Sequence, residues 1–244
     1  MTYGIQLYSV RDILKAKGMQ ETLRAVAAIG YKSVELAGFG DATAKDTKKW
    51  LDELGLTVEG AHVSLKALTE DFEKTIADLK TVGCPRAIIP SAKIQNKEAL
   101  DALQKGFAEA HRNLEGSGIA LGFHNHHKEY LPNEDGDIPM DSILASKDVF
   151  IELDTYWAYH AGIDPVAEME RLGDRLKLIH IKDGDPTITP ESGKPLGKGT
   201  APVAAVYRKA IEMGLPIIVE SETLTPDGPT EAEICFRYLK TLEK

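Results

Sequence analysis

Short runs of aliphatic and β-branched residues alternate with longer amphipathic segments along the whole chain, the rhythm of βαβ units feeding a parallel sheet. Eight strand runs stand out: Tyr3 to Tyr8, Ser33 to Leu36, Thr57 to His62, Arg86 to Pro90, Ile119 to His124, Val149 to Asp154, Lys177 to Lys182 and Pro216 to Glu220. Between the first two, GMQETLRAVAAIG places Met19, Leu23, Val26 and Ala27 at helical spacing, with Gly30 set to end the helix. The phrase returns as VAAVYRKAIEMGLPIIVE, where Gly214 stands in for Gly30. The two longest irregular stretches, Lys128 to Asp137 and Gly184 to Gly199, directly follow strand runs and read as functional βα loops.

Eight such pairs in 244 residues suit a single-domain α/β (β/α)8 TIM barrel spanning residues 1–244, a fold that takes about 250 residues. An open doubly wound sheet is the competitor. It usually carries a Gly-rich turn after its first strand, and Tyr8-Ser9-Val10-Arg11 stands there instead. No linker or shift in composition divides the chain.

Composition narrows the function classes. With 43% hydrophobic and 27% charged residues the chain can build a core without cross-links. A net charge of −9 and the lack of any Lys/Arg-rich run speak against a nucleic-acid partner. Cys84 and Cys235 are isolated and read as buried small hydrophobes in a reducing compartment. The N-terminus does not read as a signal peptide, and no apolar stretch approaches about 18 residues. A cytoplasmic location and no membrane partner are therefore expected.

Barrel enzymes draw their reacting groups from the C-terminal ends of the strands. Alternation sends Leu121 and Phe123 out towards the helices and His124 inward; it sends Val149, Ile151 and Leu153 out and Asp154 inward. The same parity turns His180, Lys182 and Glu220 inward. Four consecutive strands thus end in His124, Asp154, His180 and Glu220, a set competent to hold one divalent metal ion such as Mn, Zn, Co or Mg. Singly, each has a structural reading: a strand-end His can be a satisfied hydrogen-bonding group and a strand-end Asp can cap a helix. Four on adjacent strands with one parity favour a shared site.

The segments AIGYKSVEL (Ala28 to Leu36), GFHNHHKEY (Gly122 to Tyr130), IELDTYWAYHAGIDP (Ile151 to Pro165), LIHIKDGD (Leu178 to Asp185), PLGKGTAP (Pro195 to Pro202) and IIVESE (Ile217 to Glu222) resemble, in this order, the xylose isomerase-like TIM barrel superfamily of sugar phosphate isomerases and epimerases, to which endonuclease IV also belongs. The resemblance implies a metal held by Glu, Asp, His and Glu on the fifth to eighth strands. Asp154, His180 and Glu220 match. At the fifth, where many relatives resemble Glu-Asn-His, the triplet is His124-Asn125-His126. His124 keeps a ligand and removes a base: in the epimerase branch two metal-bound glutamates exchange the carbon-bound proton, and only Glu220 remains.

The expectation is a metal-dependent isomerase or epimerase acting on a keto sugar or polyol-derived keto compound through a metal-chelated enediolate, with Glu220 as base and Lys182 neutralising charge or acting as acid. The alternative is a lyase or hydratase on keto sugars or keto-glycosides, which needs only one base. A structural reading pairs Lys182 with Asp183 or Glu220 instead. Substrate contacts are expected from His62, Glu35, Trp157 and His126, with Glu129 near the mouth, His127 and Lys128 solvated, and His111 and His160 on helices or the surface. Trp157 stands where the endonuclease resembles Asp-x-x-His, which with the acidic balance disfavours a DNA-repair enzyme; a non-catalytic sugar-binding barrel is a third class. Lys198 replaces a Glu common in Gly-Glu-Gly relatives. No Arg cluster on the strand ends favours an unphosphorylated substrate. Barrels of this kind often pair, which leaves a homo-oligomer open.

Overall fold

The computed structural model describes residues 2–186 and 193–243. Eight parallel strands close into one barrel: β1 (Gly4–Gln6), β2 (Ser33–Leu36), β3 (Thr57–His62), β4 (Arg86–Ile89), β5 (Ala120–His124), β6 (Phe150–Asp154), β7 (Leu176–Ile181) and β8 (Ile217–Val219). β1 seals it by pairing with β8, Gly4 opposite Ile218 and Ile5 opposite Val219. The helices used below are α1 (Arg11–Ile29), α2 (Ala44–Leu54), α3 (Leu65–Thr69), α4 (Phe72–Val82), α5 (Lys97–Leu114), α6 (Pro139–Ala145), α7 (Thr155–His160), α8 (Pro165–Leu172), α9 (Val203–Glu212) and α10 (Gly228–Leu242). None of the described helices is long and apolar enough to cross a membrane.

Alternation along the strands sorts two apolar layers. Val34, Leu121, Phe123, Ile151, Leu153 and Ile181 face outward into the main core beneath the helices. Inside the barrel a small separate cluster of Ile88, Phe150, Leu178 and Ile218 forms the apolar floor. Gly122 makes room for it, because a Cβ there would lie 2.3 Å from the Phe150 ring. Above this floor the interior turns polar, where barrels more often stack branched aliphatics: Gln6, Glu35, His124, Glu152, Asp154, His180 and Lys182 are all buried.

Two register shifts set the aim of that layer. One extra residue enters β3 opposite Val34 and Glu35, and another enters β7 opposite Ile151 and Glu152. Each bulge therefore lies beside an inward carboxylate, where a bulge re-aims side chains.

Two features near the start of the chain differ from the sequence pattern. β1 stops at Gln6 instead of Tyr8, because the Gln6 side chain accepts from the Tyr8 amide and starts a 3-10 turn over Leu7–Val10. Gly18, at φ 81 and ψ 175, breaks what would be one long α1, so the regular helix resumes at Met19 as its apolar spacing implies. Gly30 and Gly214 both take positive φ, 123 and 67, closing the equivalent helix-to-strand turns. In the loop Gly184 to Gly199, Asp183–Gly184 pairs with Gly193–Lys194 in a short antiparallel ribbon; residues 187–192 lie outside the described residues.

Candidate metal centre

Asp154 ends β6 and performs two tasks with two oxygens. Oδ1 accepts the Trp157 amide at 2.8 Å and caps α7, so the bland reading of a strand-end carboxylate is true of half of it. Oδ2 is buried without a hydrogen-bond partner. The backbone that aims it is fixed from β5: Asn125 accepts the Asp154 amide at 2.9 Å and donates to the Asp154 carbonyl at 3.2 Å.

His180 on β7 has the same division. Its Nε2 lies 2.6 Å from Glu35 Oε2, leaving Nδ1 as the free nitrogen. Nδ1 is 3.2 Å from Glu220 Oε2, but the angles form no hydrogen bond and both atoms count as unpartnered. His124 on β5 shares its Nδ1 with Glu152 Oε2 at 3.0 Å, which leaves Nε2. The ligand atoms of His124, Asp154, His180 and Glu220 all lie within 4.8 Å of one another. Buried polar atoms left without partners are costly, and three of the four residues point one such atom at a common space. A divalent ion fits that donor set.

A second set within the same limit is His62, His124, Glu152 and His180. Most of its atoms are engaged with one another: Glu152 Oε2 takes His62 Nε2 at 2.8 Å as well as His124, while Glu152 Oε1 lies 3.2 Å from His180 Nε2 without a hydrogen bond. This set reads as the layer that orients the ligands. Carboxylates behind metal-binding imidazoles fix their tautomer and raise their basicity. Gln6 donates to Glu35 Oε2 at 2.7 Å and holds it in place in turn.

The electrostatics agree with a cation. Glu35, Glu152, Asp154 and Glu220 are buried together with a single buried ammonium, Lys182. Burial, with Glu220 nearby and against the pull of Lys182, pushes Asp154 up to about 7. Burial and then Glu152 push Glu35 up to about 7. Glu220 is held well below the usual range because His180, Lys182 and His124 outweigh its burial. His180 is raised well above its ordinary value, Glu152, Glu35 and Glu220 overcoming burial. Burial lowers His124 to about 4, keeping its ring neutral.

A cavity of about 390 Å³ is lined by two of the four residues, His124 and Glu220, together with Tyr8, His62, His126 and Glu222 among others. His62 and His126 both line this cavity. Glu35 does not: its contacts are His180, Gln6 and His62 beneath the cavity, next to the bulge in β3. Trp157 is also off the cavity wall. Its indole is buried, with Lys182 Nζ 4.5 Å over the ring and His126 and His127 packed on it. Lys182 pairs with neither Asp183 nor Glu220 as its first partner; Glu222 Oε2 is 2.5 Å away, Glu220 3.9 Å and Asp154 4.0 Å. Asp183 is taken up by the backbone amides of Gly184, Gly197, Gly199 and Ala201, which it accepts at 2.8 to 3.1 Å. Lys198 is exposed, and His111 and His160 lie on α5 and α7.

Sequence parity missed Glu152 and Glu222. The alternation that turns Asp154 inward turns Glu152 inward two residues earlier, so that signal was present. Glu222 lies past β8, where no periodicity reports direction.

A model of the xylose isomerase-like TIM barrel family matches residues 23–242. An inosose dehydratase of Clostridium beijerinckii is 22% identical over 195 residues, a match covering 70% of this chain and 65% of that protein's length. A sugar phosphate isomerase/epimerase from Parabacteroides distasonis superposes with a TM-score of 0.81 at 26% identity, over 97% of this chain and 92% of the other. A D-allulose 3-epimerase from Methylomonas sp. has the same fold, with a TM-score of 0.72 at 15% identity over 99% and 98% of the two chains.

Proposed function

This chain belongs to the xylose isomerase-like TIM barrel family, and from that membership and its ligand geometry we propose that it is a metal-dependent isomerase acting on a keto sugar or a polyol-derived keto compound. One observation carries the reading: Asp154 Oδ2, His180 Nδ1 and Glu220 Oε2 are buried, without hydrogen-bond partners and mutually close, and Glu220 and His124 of the same set line a cavity of about 390 Å³. A divalent ion held by these residues and His124 would supply Lewis-acid stabilisation of charge developing on substrate oxygens.

The chain's own groups do the rest. Glu220, held ionised by His180 and Lys182, takes the proton from the carbon beside the carbonyl and returns it, the substrate passing through its enediolate. Lys182, locked by Glu222 and sandwiched on Trp157, keeps a fixed positive charge within 4 Å of Glu220 and offsets the developing oxyanion. His62 and His126 offer ring nitrogens to substrate hydroxyls from the cavity wall.

A second reading has specific support. Exchange of a proton between two faces of a carbon needs two bases, and the end of β5 offers His124, whose Nδ1 is engaged by Glu152. Both carboxylates lining the cavity, Glu220 and Glu222, come from the end of β8. One-sided base placement also suits elimination of water, and the resemblance to inosose dehydratase points the same way.

The test is solvent deuterium incorporation by the metal-loaded protein over ketoses, inososes and keto-glycosides, with water loss followed in parallel. Exchange without water loss supports the isomerase, and exchange with dehydration supports the lyase. No exchange with any compound, or unchanged exchange in Glu220→Gln, overturns the assignment of Glu220.

A further inference from the structure

Tyr8 stands outside both apolar clusters of the fold and, at 45%, is the most exposed large hydrophobic side chain among the described residues. A lone exposed aromatic is ordinary on a protein surface. This one lines the catalytic cavity, together with His62, His126, Glu220 and Glu222, and the proton transfer at Glu220 makes no use of it.

The turn that carries Tyr8 is fixed on several sides. Its amide donates to Gln6 Oε1 at 3.2 Å, and Gln6 Nε2 donates to Glu35 Oε2 at 2.7 Å, which anchors the turn in the buried polar layer. Arg11, three residues on, lays its guanidinium on the phenol ring, Cζ 4.1 Å from the centroid. The same group donates to the Tyr8 carbonyl at 2.8 Å and to the Glu222 carbonyl at 2.5 Å. These bonds go to carbonyls and not to a carboxylate, so the cation braces the ring instead of neutralising an acid. Ser9 Oγ accepts the Ser221 amide at 2.9 Å. The residues that follow Tyr8 and Glu220 are thereby joined, and the ring and the base share one frame. Arg11 occupies one face of the phenol, and the exposed remainder borders the cavity.

We propose that Tyr8 is the platform on which the substrate stacks, with Arg11 as the positioning residue behind it, so that this site takes its keto compound as a closed six-membered ring and not as an open chain. This rests on the proposed reading for the place where the substrate binds. A pyranose or carbocycle with equatorial hydroxyls presents C–H groups on its faces and hydroxyls at its edge. Its face can cover the phenol while its edge reaches His62, His126 and Glu222, whereas an open chain turns hydroxyls to every side and has no such face. A braced aromatic also loses little freedom on binding, which favours the stacked pose.

Titration of the Mn²⁺-loaded protein with myo-inositol and with D-glucitol, followed by saturation-transfer NMR, tests this, since the two probes share six carbons and six hydroxyls and differ in ring closure. Burying one ring face, on the order of 50 Å², is worth about five- to tenfold in affinity. Tyr8→Ala is therefore expected to weaken inositol by about that factor and glucitol by less than about twofold, while Tyr8→Phe, which keeps the ring, binds inositol as the wild type does. Arg11→Ala should show the same ring-selective weakening; a merely structural loss would weaken both probes alike. No inositol binding by the wild type, unchanged inositol binding in Tyr8→Ala, or equal weakening of both probes overturns the platform, and loss in Tyr8→Phe would assign the effect to the hydroxyl instead. Deuterium exchange is read separately: no exchange with ring-selective binding intact would sink the proposed reaction and leave the platform.

Discussion

Replacing Glu152 by Gln tests whether the polar layer under the cavity sets the metal site. Two imidazoles converge on one of its oxygens, His62 at 2.8 Å and His124 at 3.0 Å, and the other lies 3.2 Å from His180 Nε2. A glutamine has the same shape but must present an NH2 to one side or the other. Placed at Oε1 it faces the His180 N–H; placed at Oε2 it faces His62 and His124. A donor then opposes a donor, and one of two ligand rings must turn or change tautomer. Loss of such support behind a metal ligand costs about 10–100-fold in affinity, equivalent to about 1.4–2.7 kcal/mol. Titration with Mn²⁺ and Zn²⁺ by calorimetry, with thermal unfolding as the check on folding, measures it. A folded variant whose affinity stays within about twofold of wild type would refute the assignment of Glu152 as a positioning residue.

Metal binding should release protons. His180 is raised well above its usual value and Asp154 to about 7, so both hold protons below pH 7, and both must give them up to ligate. Affinity should therefore rise with pH, with nearly two protons released at pH 6 and nearer one at pH 8, read from titrations in buffers of different ionisation enthalpy; equal release at both would contradict the raised Asp154. Asp183→Ala removes the carboxylate that accepts from four backbone amides and should lower stability by about 3 kcal/mol or more, given about 1.5–3 kcal/mol for a bond to a charged group; an unchanged melting temperature would show that the loop finds other partners. Gly122→Ala drives a methyl into the Phe150 ring and should destabilise by about 1–3 kcal/mol by overpacking, a shift that denaturant unfolding resolves.

The barrel was legible because its two faces obey different rules. Outward residues such as Leu121, Ile151 and Leu153 sit under the helices, so a period of two marks every strand and its inward partner positions. The same period brought His124, Asp154, His180 and Glu220 onto one list, and the structure brings them together. Reading only the last inward residue of each strand hid Glu152, one step deeper on the same face. Glu35 is inward as alternation requires, yet depth along the barrel decides whether an inward side chain meets substrate or another side chain, and a bulge has no sequence signature. Trp157 and Glu222 lie beyond strand ends, where direction is set by the α7 cap and by the pairing with Lys182, both products of the assembled fold.

The Asn125 clamp divides the rim into parts that can change and parts that cannot. Asp154 is tied to the scaffold through its amide, its carbonyl and the cap on α7, so a residue there that cannot cap disturbs the start of a helix as well as the cluster. His124 caps no helix: its backbone lies in the β5 ladder opposite Glu152, and its ring is held by Glu152. The end of β5 therefore answers to a side-chain partner and not to a helix: a carboxylate in place of the His124 ring would face the buried Glu152 carboxylate, so a change there calls for a matching change on β6.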